Sequence, residues 1–268
     1  MEIKIGSDPE FFLCDLETDE PVSPHKVTKG TKKEPEPLWD GWSIQIDGMA
    51  VEFNTPCFSS IRHLRHQFLV NKDRFEKLIS DRLGRTHYLS GRSSYIFPER
   101  IWDLVPDENK ELGCSPDFSA YYEEVNPQPE PEIESFRTTS GHISLGWIDP
   151  DSVSTAKYQE IFKVCCALVR TLEYNLGTYH LKQGWDKSRA RLYGRPGAFR
   201  PKPFGLEWRP MTNFWLGPSV RGYEFCEKFD EVVGYLKNKK LEAGDMRQGR
   251  YCLTHDGDGV IFGWSNQY

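Results

Sequence analysis

Hydrophobic and polar positions along the chain follow two periods, one typical of helices and one typical of strands. Three segments have apolar residues at every third or fourth position, and we predict helices there, at residues 59–83, 154–176 and 218–237. Alternating or short apolar runs predict extended segments at residues 2–13, 43–54, 139–147 and 205–211. This order indicates an α+β fold, in which helices cover one face of an antiparallel sheet.

The segment 43–54 is predicted to be a hairpin with Asp47-Gly48 at its turn. Two stretches rich in proline and charged residues, 21–37 and 126–134, are typical of loops. Patterned segments continue on both sides of each stretch. We therefore interpret them as loop insertions, near 16–42 and 118–137, within a single domain formed by the 268 residues.

Composition and charge narrow the class of protein. No apolar run reaches the roughly 18 residues of a membrane span, and the N-terminal residues lack the pattern of a signal peptide. Seven scattered cysteines without a C-x-x-C pair indicate reduced thiols rather than a disulfide framework or a zinc site. A net charge of −6 gives no reason to expect nucleic-acid binding. We expect a cytoplasmic protein that binds neither membranes nor nucleic acid.

The first predicted strand places two carboxylates on one face. Residues two apart in a strand point the same way, so Asp8 and Glu10 are neighbours about 6.6 Å apart, at roughly 3.3 Å per residue. Carboxylates this close repel each other unless a cation lies between them or one of them is protonated.

The other predicted strands also carry polar residues opposite apolar ones. Glu52 lies between two apolar residues, His142 and Ser144 share a face, and so do Glu207 and Arg209. One interpretation is a solvated face of an antiparallel sheet. The residue types favour another, because carboxylates with an imidazole are suitable ligands for Mg²⁺ or Mn²⁺.

A basic run punctuated by glycine and proline precedes the last predicted strand, at residues 189–202. Guanidinium groups bind phosphate and carboxylate bidentately. A solvated basic loop or a patch for an acidic partner would have the same composition. We favour a phosphate site because metal-binding carboxylates beside arginines are what phosphoryl transfer requires. The candidate basic side chains are Arg191, Arg195, Arg200, Lys202 and Arg209.

In order and residue type, four motifs resemble the glutamine synthetase and glutamate–cysteine ligase superfamily, and most of all its phage carboxylate–amine ligases (amidoligases). The motifs are IGSDPEFFL, AVEFN, GH and GLEWR, at residues 5–13, 50–54, 141–142 and 205–209. The resemblance implies a curved, largely antiparallel sheet of the glutamine synthetase catalytic-domain type with helices on its outer face. For a phage-encoded chain it implies the host cytoplasm.

The same resemblance implies a reaction. ATP phosphorylates the carboxylate of a small molecule or peptide, and an amine then displaces phosphate from the acyl phosphate, with two or three Mg²⁺ or Mn²⁺ ions present. Arg195, Arg200 and Arg209 would be catalytic. Together with Arg191 and Lys202, they would also contact the ATP phosphates.

Metal ligands follow from the matched motifs. We assign Glu10 and Glu52 to one ion, and Asp8, His142 and Glu207 to another. Asp8 stands where glutamine synthetase has a glutamate, so its reach is shorter and the local geometry must differ.

A further carboxylate ligand is open between Asp47, Glu99 and Asp117, and Asp117 is the first to test. Two other functions are weighed against the ligase. One is a degenerate, non-catalytic nucleotide-binding module. The other is a glycoside hydrolase with paired carboxylates, which explains the acidic first strand but neither the histidine nor the arginine run.

Overall fold

A computed structural model of the protein describes residues 2–112, 117–148 and 155–238. The described residues form strands β1 Lys4–Ser7, β2 Glu10–Asp15, β3 Pro21–Val22, β4 Glu36–Pro37, β5 Ser43–Asp47, β6 Ala50–Asn54, β7 His87–Ser90, β8 Ser94–Ile96, β9 Phe118–Ser119, β10 Glu124–Val125, β11 Phe136–Thr138, β12 Ile143–Gly146, β13 Ala198–Lys202 and β14 Gly205–Trp208. They also form helices α1 Ile61–Leu83, α2 Glu99–Trp102, α3 Asp107–Lys110, α4 Thr155–Gly184 and α5 Val220–Asn238.

The strands form two large sheets and a small ribbon. The first sheet has the order β1-β12-β14-β13-β9-β10, and the second has the order β3-β2-β6-β5-β4 with β7 also paired to β2. Strands β8 and β11 form the ribbon. The pairings between the described strands are antiparallel. The α+β class with mostly antiparallel strands is therefore confirmed.

The three long helices lie close to their predicted positions. Ser60 caps the start of α1 by accepting a hydrogen bond from the His63 amide at 3.1 Å, and Gly84 ends this helix with a φ of 72°. Helix α4 runs eight residues past its predicted end at Leu176, because the chain resumes a helix after Gly177, where φ is 71°. Helix α5 begins two residues later than predicted.

The first predicted strand, 2–13, is wrong as a single element. It breaks at Asp8-Pro9, where β1 ends as a neighbour of β12 and β2 begins as a neighbour of β6. Pro9 has no amide hydrogen to donate to a ladder, although its carbonyl accepts from the Phe53 amide at 3.0 Å. The chain therefore passes from one sheet to the other at Asp8.

Other strands are shorter than predicted. Residues 139–142 lie outside any strand, and β14 ends at Trp208, two residues before Pro210. The basic run is not a loop throughout, because Ala198–Lys202 forms β13. The insertion near 118–137 contains β9, which pairs with β13 and widens the first sheet.

One apolar core joins both sheets to α1, α4 and α5. Leu206 and Trp208 of β14 point into it with Ile143 and Leu145 of β12. Glu207, which alternates with them, therefore faces the other side of the sheet. Among the described helices, none has both the length and the apolar character that a membrane span needs.

Candidate functional site

Six acidic or histidine side chains gather into two groups on the sheet faces. Within each group the potential ligand atoms lie within 4.8 Å of one another. We call the first the carboxylate cluster and the second the histidine cluster, consisting respectively of Glu10, Asp47 and Glu52, and of Asp8, His142 and Glu207. Each cluster combines residues that are far apart in the chain.

Strand register builds the carboxylate cluster. Glu10 of β2 lies directly opposite Glu52 of β6, so their side chains share a face. Gln45 of β5 is opposite Glu52 on the other side, and Asp47, two residues along, points the same way as Gln45. Three carboxylates thus converge where a hairpin meets the strand after Pro9.

The carboxylates of this cluster oppose one another's ionisation. Burial, with Asp47 and Asp8 nearby, raises the pKa of Glu10 to about 8. Burial and the charges of Asp8, Asp47 and Glu10 raise the pKa of Glu52 well above its ordinary value. Lys32, which is half exposed, pairs with Asp47 at 2.9 Å. The cluster therefore favours a bound proton or cation at neutral pH.

The histidine cluster lies where β12 and β14 run side by side next to the end of β1. His142 Nδ1 is 3.5 Å from Glu207 Oε1 and 3.7 Å from Asp8 Oδ1. Burial, with the Arg209 guanidinium nearby, keeps the pKa of His142 well below its usual value. The imidazole is therefore neutral, which is the form that binds metals.

Gly141 lies against residues 211–215, and this close contact fixes the position of His142. Its amide donates to the Met211 carbonyl at 3.0 Å, and its carbonyl accepts from Trp215 Nε1 at 3.0 Å. A Cβ atom here would lie 2.7 Å from the Asn213 Cα atom, closer than real contacts allow. A side chain at position 141 would therefore push His142 away from Glu207.

Basic side chains surround Glu207. Arg209 Nη1 and Lys202 Nζ contact its two carboxylate oxygens, and Arg200 Nη1 is 3.7 Å from Oε1. Burial and the charge of Asp8 act to raise the pKa of Glu207, but Arg209, His142 and Lys202 outweigh them, and the net pKa is lowered. Glu207 is therefore an ionised carboxylate in a basic surrounding.

Divalent cations fit both clusters by the chemistry of their donors. Oxygen ligands with one imidazole suit Mg²⁺ or Mn²⁺. Oδ1 of Asp8 is buried and makes no hydrogen bond with a described residue, so its lone pairs are available to a cation. Asp8 also acts to raise the pKa values of Glu10, Glu52 and Glu207, so this member of the histidine cluster influences both clusters.

Burial excludes the interpretation of a solvated sheet face. The exposed fractions of Glu10, Glu52, His142 and Glu207 are 9%, 7%, 3% and 0%. Charged side chains are almost never this buried unless they are paired or bind a ligand.

The structure brings together the five predicted metal ligands but only part of the basic run. Arg200, Lys202 and Arg209 meet at Glu207. Arg191 and Arg195 are exposed, and no ion pair or hydrogen bond between described residues joins their side chains to either cluster. Arg191 instead lies 3.5 Å from Glu132 of the second insertion.

Of the three open candidates for a further ligand, Asp47 lies in the carboxylate cluster. Asp117 accepts hydrogen bonds from Arg209 Nε at 3.2 Å and Asn126 Nδ2 at 2.7 Å, and Glu99 is exposed at the start of α2. The geometry therefore favours Asp47 over Asp117 as the first of the three candidates to test. The register of a two-residue hairpin loop could have identified Asp47, since it places this residue diagonal to Glu52 on one face.

Arg189 was not among the candidate site residues, yet it anchors the site. This buried guanidinium donates to the carbonyls of Thr139, Pro210 and Arg209 at 2.9, 3.0 and 3.2 Å. It thereby joins the segment before His142 to the segment after β14. Within the basic run, composition alone does not show which arginine is buried.

Two cavities adjoin the clusters. One, of about 600 Å³, reaches Asp8 and Lys202 and has Trp147 and Phe204 in its wall. The other, of about 40 Å³, is lined by Glu10, Asp47, His142 and Arg209 among others. Asp8 and Lys202 thus face the larger cavity, and Arg209 faces the smaller one.

No protein-family model matches the sequence, and no curated protein is significantly similar to it.

Proposed function

We propose that this chain is an ATP-dependent carboxylate–amine ligase that forms an amide bond through an acyl phosphate, on a sheet of the glutamine synthetase catalytic-domain type. The observation that carries the proposal is the pair of adjoining buried clusters, with Arg200, Lys202 and Arg209 gathered at Glu207. Phosphoryl transfer is catalysed by metal ions and basic side chains that offset the charge on the phosphate oxygens. A reaction that consumes ATP also fits a cytoplasmic location.

The metal ligands in this proposal are the members of the two clusters, which would hold two or three Mg²⁺ or Mn²⁺ ions. When bound, the ions would offset negative charge on phosphate oxygens. The chain's own task is to hold the ligands in place. Strand register does this for Glu10 and Glu52, and the Gly141 contacts do it for His142.

We assign ATP to the larger cavity. Its volume of about 600 Å³ is within the roughly 300–1,000 Å³ typical of small-molecule sites. Trp147 and Phe204 offer apolar surface to a base, and Lys202 and Asp8 lie where a phosphate and its cation would be needed.

We assign the carboxylate group of the substrate, and not the whole molecule, to the smaller cavity, because its volume of about 40 Å³ has room for a few atoms only. Arg209 lines this cavity and also contacts Glu207, so one guanidinium adjoins both the smaller cavity and the histidine cluster. Asp117 holds Arg209 from a third direction at 3.2 Å, which fixes the plane of the guanidinium. A carboxylate oriented by Arg209 would point toward the ATP phosphates beyond Glu207. It would accept the terminal phosphoryl group, with release of ADP. The amine would then displace phosphate from the acyl phosphate.

ADP release tests the proposal. The purified protein is screened with Mg²⁺, ATP and pairs of carboxylates and amines. We expect ADP formation that depends on both substrates and is abolished by a chelator. A glycoside hydrolase would turn over without ATP. A degenerate module would bind Mg²⁺-ATP in calorimetry but release no ADP with any pair. Either of these results would reject the ligase.

Cys57 offers a direct test of the ATP assignment. It is exposed and lines the larger cavity, whereas the other described cysteines are buried. Alkylation at Cys57, followed by peptide mass spectrometry, should be slowed by Mg²⁺-ATP. Cys57→Ser identifies the peptide and serves as the control. Equal labelling with and without Mg²⁺-ATP would place the nucleotide elsewhere.

A further inference from the structure

Glu173 is a buried carboxylate of α4 that lies behind the first sheet, on the side away from the two clusters. Its exposed fraction is 2%. Its Oε1 accepts from Trp208 Nε1 at 2.9 Å, and its Oε2 accepts from the Tyr121 hydroxyl at 2.8 Å. The Gly197 amide donates to both oxygens, at 2.8 and 3.0 Å. A carboxylate is thus held by three donors from three segments.

Each of these three segments leads directly to the histidine cluster or its basic neighbours. Trp208 stands between Glu207 and Arg209 in the chain. Gly197 immediately precedes β13, which carries Arg200 and Lys202.

Tyr121 follows β9, and the residue before β9 is Asp117, which accepts a hydrogen bond from Arg209. The Ala120 amide also donates to the Gly197 carbonyl at 2.9 Å, so the segment after β9 and the start of β13 are tied to each other as well. Fixing Tyr121 therefore fixes the hairpin that carries the partner of Arg209.

Burying a carboxylate is unfavourable unless it accepts hydrogen bonds, so the three donor segments must keep their positions around Glu173. Burial raises the pKa of Glu173, and its hydrogen bonds from Trp208, Tyr121 and Gly197 act in the opposite direction. Without these donors the carboxylate would be an unsatisfied buried polar group. The three segments are therefore held in one arrangement, since moving any of them leaves an acceptor unpaired.

We propose that Glu173 is a positioning residue that sets the geometry of the histidine cluster from the opposite face of the sheet. The inference rests on the proposed function, because it takes the cluster to be a metal site. Between described residues, no hydrogen bond or ion pair joins Glu173 to a member of the two clusters, and Glu173 lines neither of the two cavities. It acts through β13, β14 and the hairpin of β9 and β10, which Asp117 immediately precedes.

Two substitutions at Glu173 separate hydrogen bonding from charge and from stability. In Glu173→Gln, the amide oxygen can still accept from Gly197 and Trp208, and the amide nitrogen can donate to the Tyr121 oxygen. In Glu173→Ala, all three donors lose their partner. Leu172→Ala is the matched control, since Leu172 is the buried neighbour in the same helix and its loss weakens the core without removing these hydrogen bonds.

The experiment measures the dissociation constants of the separate Mn²⁺ sites by electron paramagnetic resonance, with inorganic phosphate present as the anion for the basic surrounding of Glu207, and a thermal melt of each variant accompanies it. We expect Glu173→Ala to weaken Mn²⁺ binding by about tenfold or more, as for the loss of outer partners of metal ligands. Glu173→Gln and Leu172→Ala should keep the affinity of the original protein, although Leu172→Ala lowers the melting temperature.

Several results would overturn the inference. Unchanged Mn²⁺ affinity in Glu173→Ala would do so, as would a loss in Glu173→Gln equal to that in Glu173→Ala, or an equal loss in Leu172→Ala. If Glu173→Ala does not fold, Tyr121→Phe decides, because it removes one hydrogen bond and should still weaken binding measurably. If the unaltered protein binds no Mn²⁺, the proposed function itself fails, which is distinct from a failure of Glu173 alone.

Discussion

The carboxylate cluster and the histidine cluster use the same kinds of ligand in opposite electrostatic surroundings. In the carboxylate cluster, burial and neighbouring acids raise the pKa values of Glu10 and Glu52. In the histidine cluster, basic neighbours lower the pKa of Glu207 despite its burial. Basic side chains of the protein neutralise the charge of Glu207. At Glu10 and Glu52, a bound proton or cation is needed to neutralise the carboxylates.

This difference assigns different tasks to the two clusters. A site whose carboxylates repel one another binds a cation in order to relieve that repulsion, so it should respond to metal alone. A site already surrounded by guanidinium and ammonium groups can receive an anion together with a metal, which suits a nucleotide phosphate. The predictions below test this contrast, beginning with the largest expected effect.

Both clusters should be essential for turnover, whatever their surroundings. Glu10→Gln and Glu207→Gln keep the side-chain volume but remove a ligand charge. We expect each to lower the rate of ADP release by at least about 10²–10³-fold, the scale of losing one strong electrostatic contact to a transition state. Steady-state kinetics at saturating Mg²⁺ measures this. Full activity in either variant would remove that cluster from the proposed site.

In metal-free protein the same two substitutions should change stability in opposite directions. Glu207→Gln removes one of the two described carboxylates that pair with the buried Arg209, and breaking a buried pair of this kind costs about 3–5 kcal/mol. Glu10→Gln removes one of three mutually repelling carboxylates, so at pH 8 it should raise the free energy of unfolding. Urea denaturation in the presence of a chelator compares them. Changes of the same sign would mean that the two surroundings do not differ as described.

The pH dependence of stability should identify the carboxylate cluster. The pKa of Glu10 is about 8 in the folded protein, above its ordinary value of 4.5. A raised pKa contributes stability that is fully present below pH 4.5 and is lost as the pH rises toward 8. For this group the loss in metal-free protein is at most about 1.4 kcal/mol per pH unit.

Bound Mg²⁺ should reverse this loss, because it favours the ionised carboxylates. The increase in melting temperature on adding Mg²⁺ should therefore be larger at pH 8 than at pH 6. Asp47→Asn is the matched variant, since it removes one carboxylate of the same cluster and should reduce the difference. An Mg²⁺ effect that is equal at both pH values would contradict the prediction.

Local signals in the sequence were enough for the helices and the hairpin. The apolar spacing of α1, with Ser60 before it and Gly84 after it, defines a helix without any long-range information. The hairpin register likewise determines which residues share a face with Glu52. The break at Pro9 was also visible in the sequence, because proline cannot donate to a strand ladder, and the prediction of one continuous strand gave this too little weight.

The convergence of distant segments could not be derived from periodicity. Strand pairing brings Glu207 beside β12, and nothing local to either segment specifies that partner. Period and composition left open which side chains lie together, and the grouping predicted from the resemblance of four motifs to one superfamily agrees with the two clusters in the structure. The resemblance did not show that Arg200 lies at Glu207 while Arg191 and Arg195 are exposed. That difference depends on how β13 is placed in the sheet.

The smallest predicted effects concern the ends of the basic run. Lys202→Met removes a cation that faces the larger cavity, where we propose that ATP binds, so we expect the KM for ATP to rise about tenfold, equivalent to one charge-assisted hydrogen bond. Arg195→Met is the matched control, an exposed side chain from the same run, and Arg191→Met is a second. Exposed charges of this kind contribute about 0–1 kcal/mol, so both should change the KM less than about fivefold. A tenfold increase in the KM of either control would mean that the loop before β13 also contacts the ATP phosphates. The basic surrounding of Glu207 would then include residues outside the sheet.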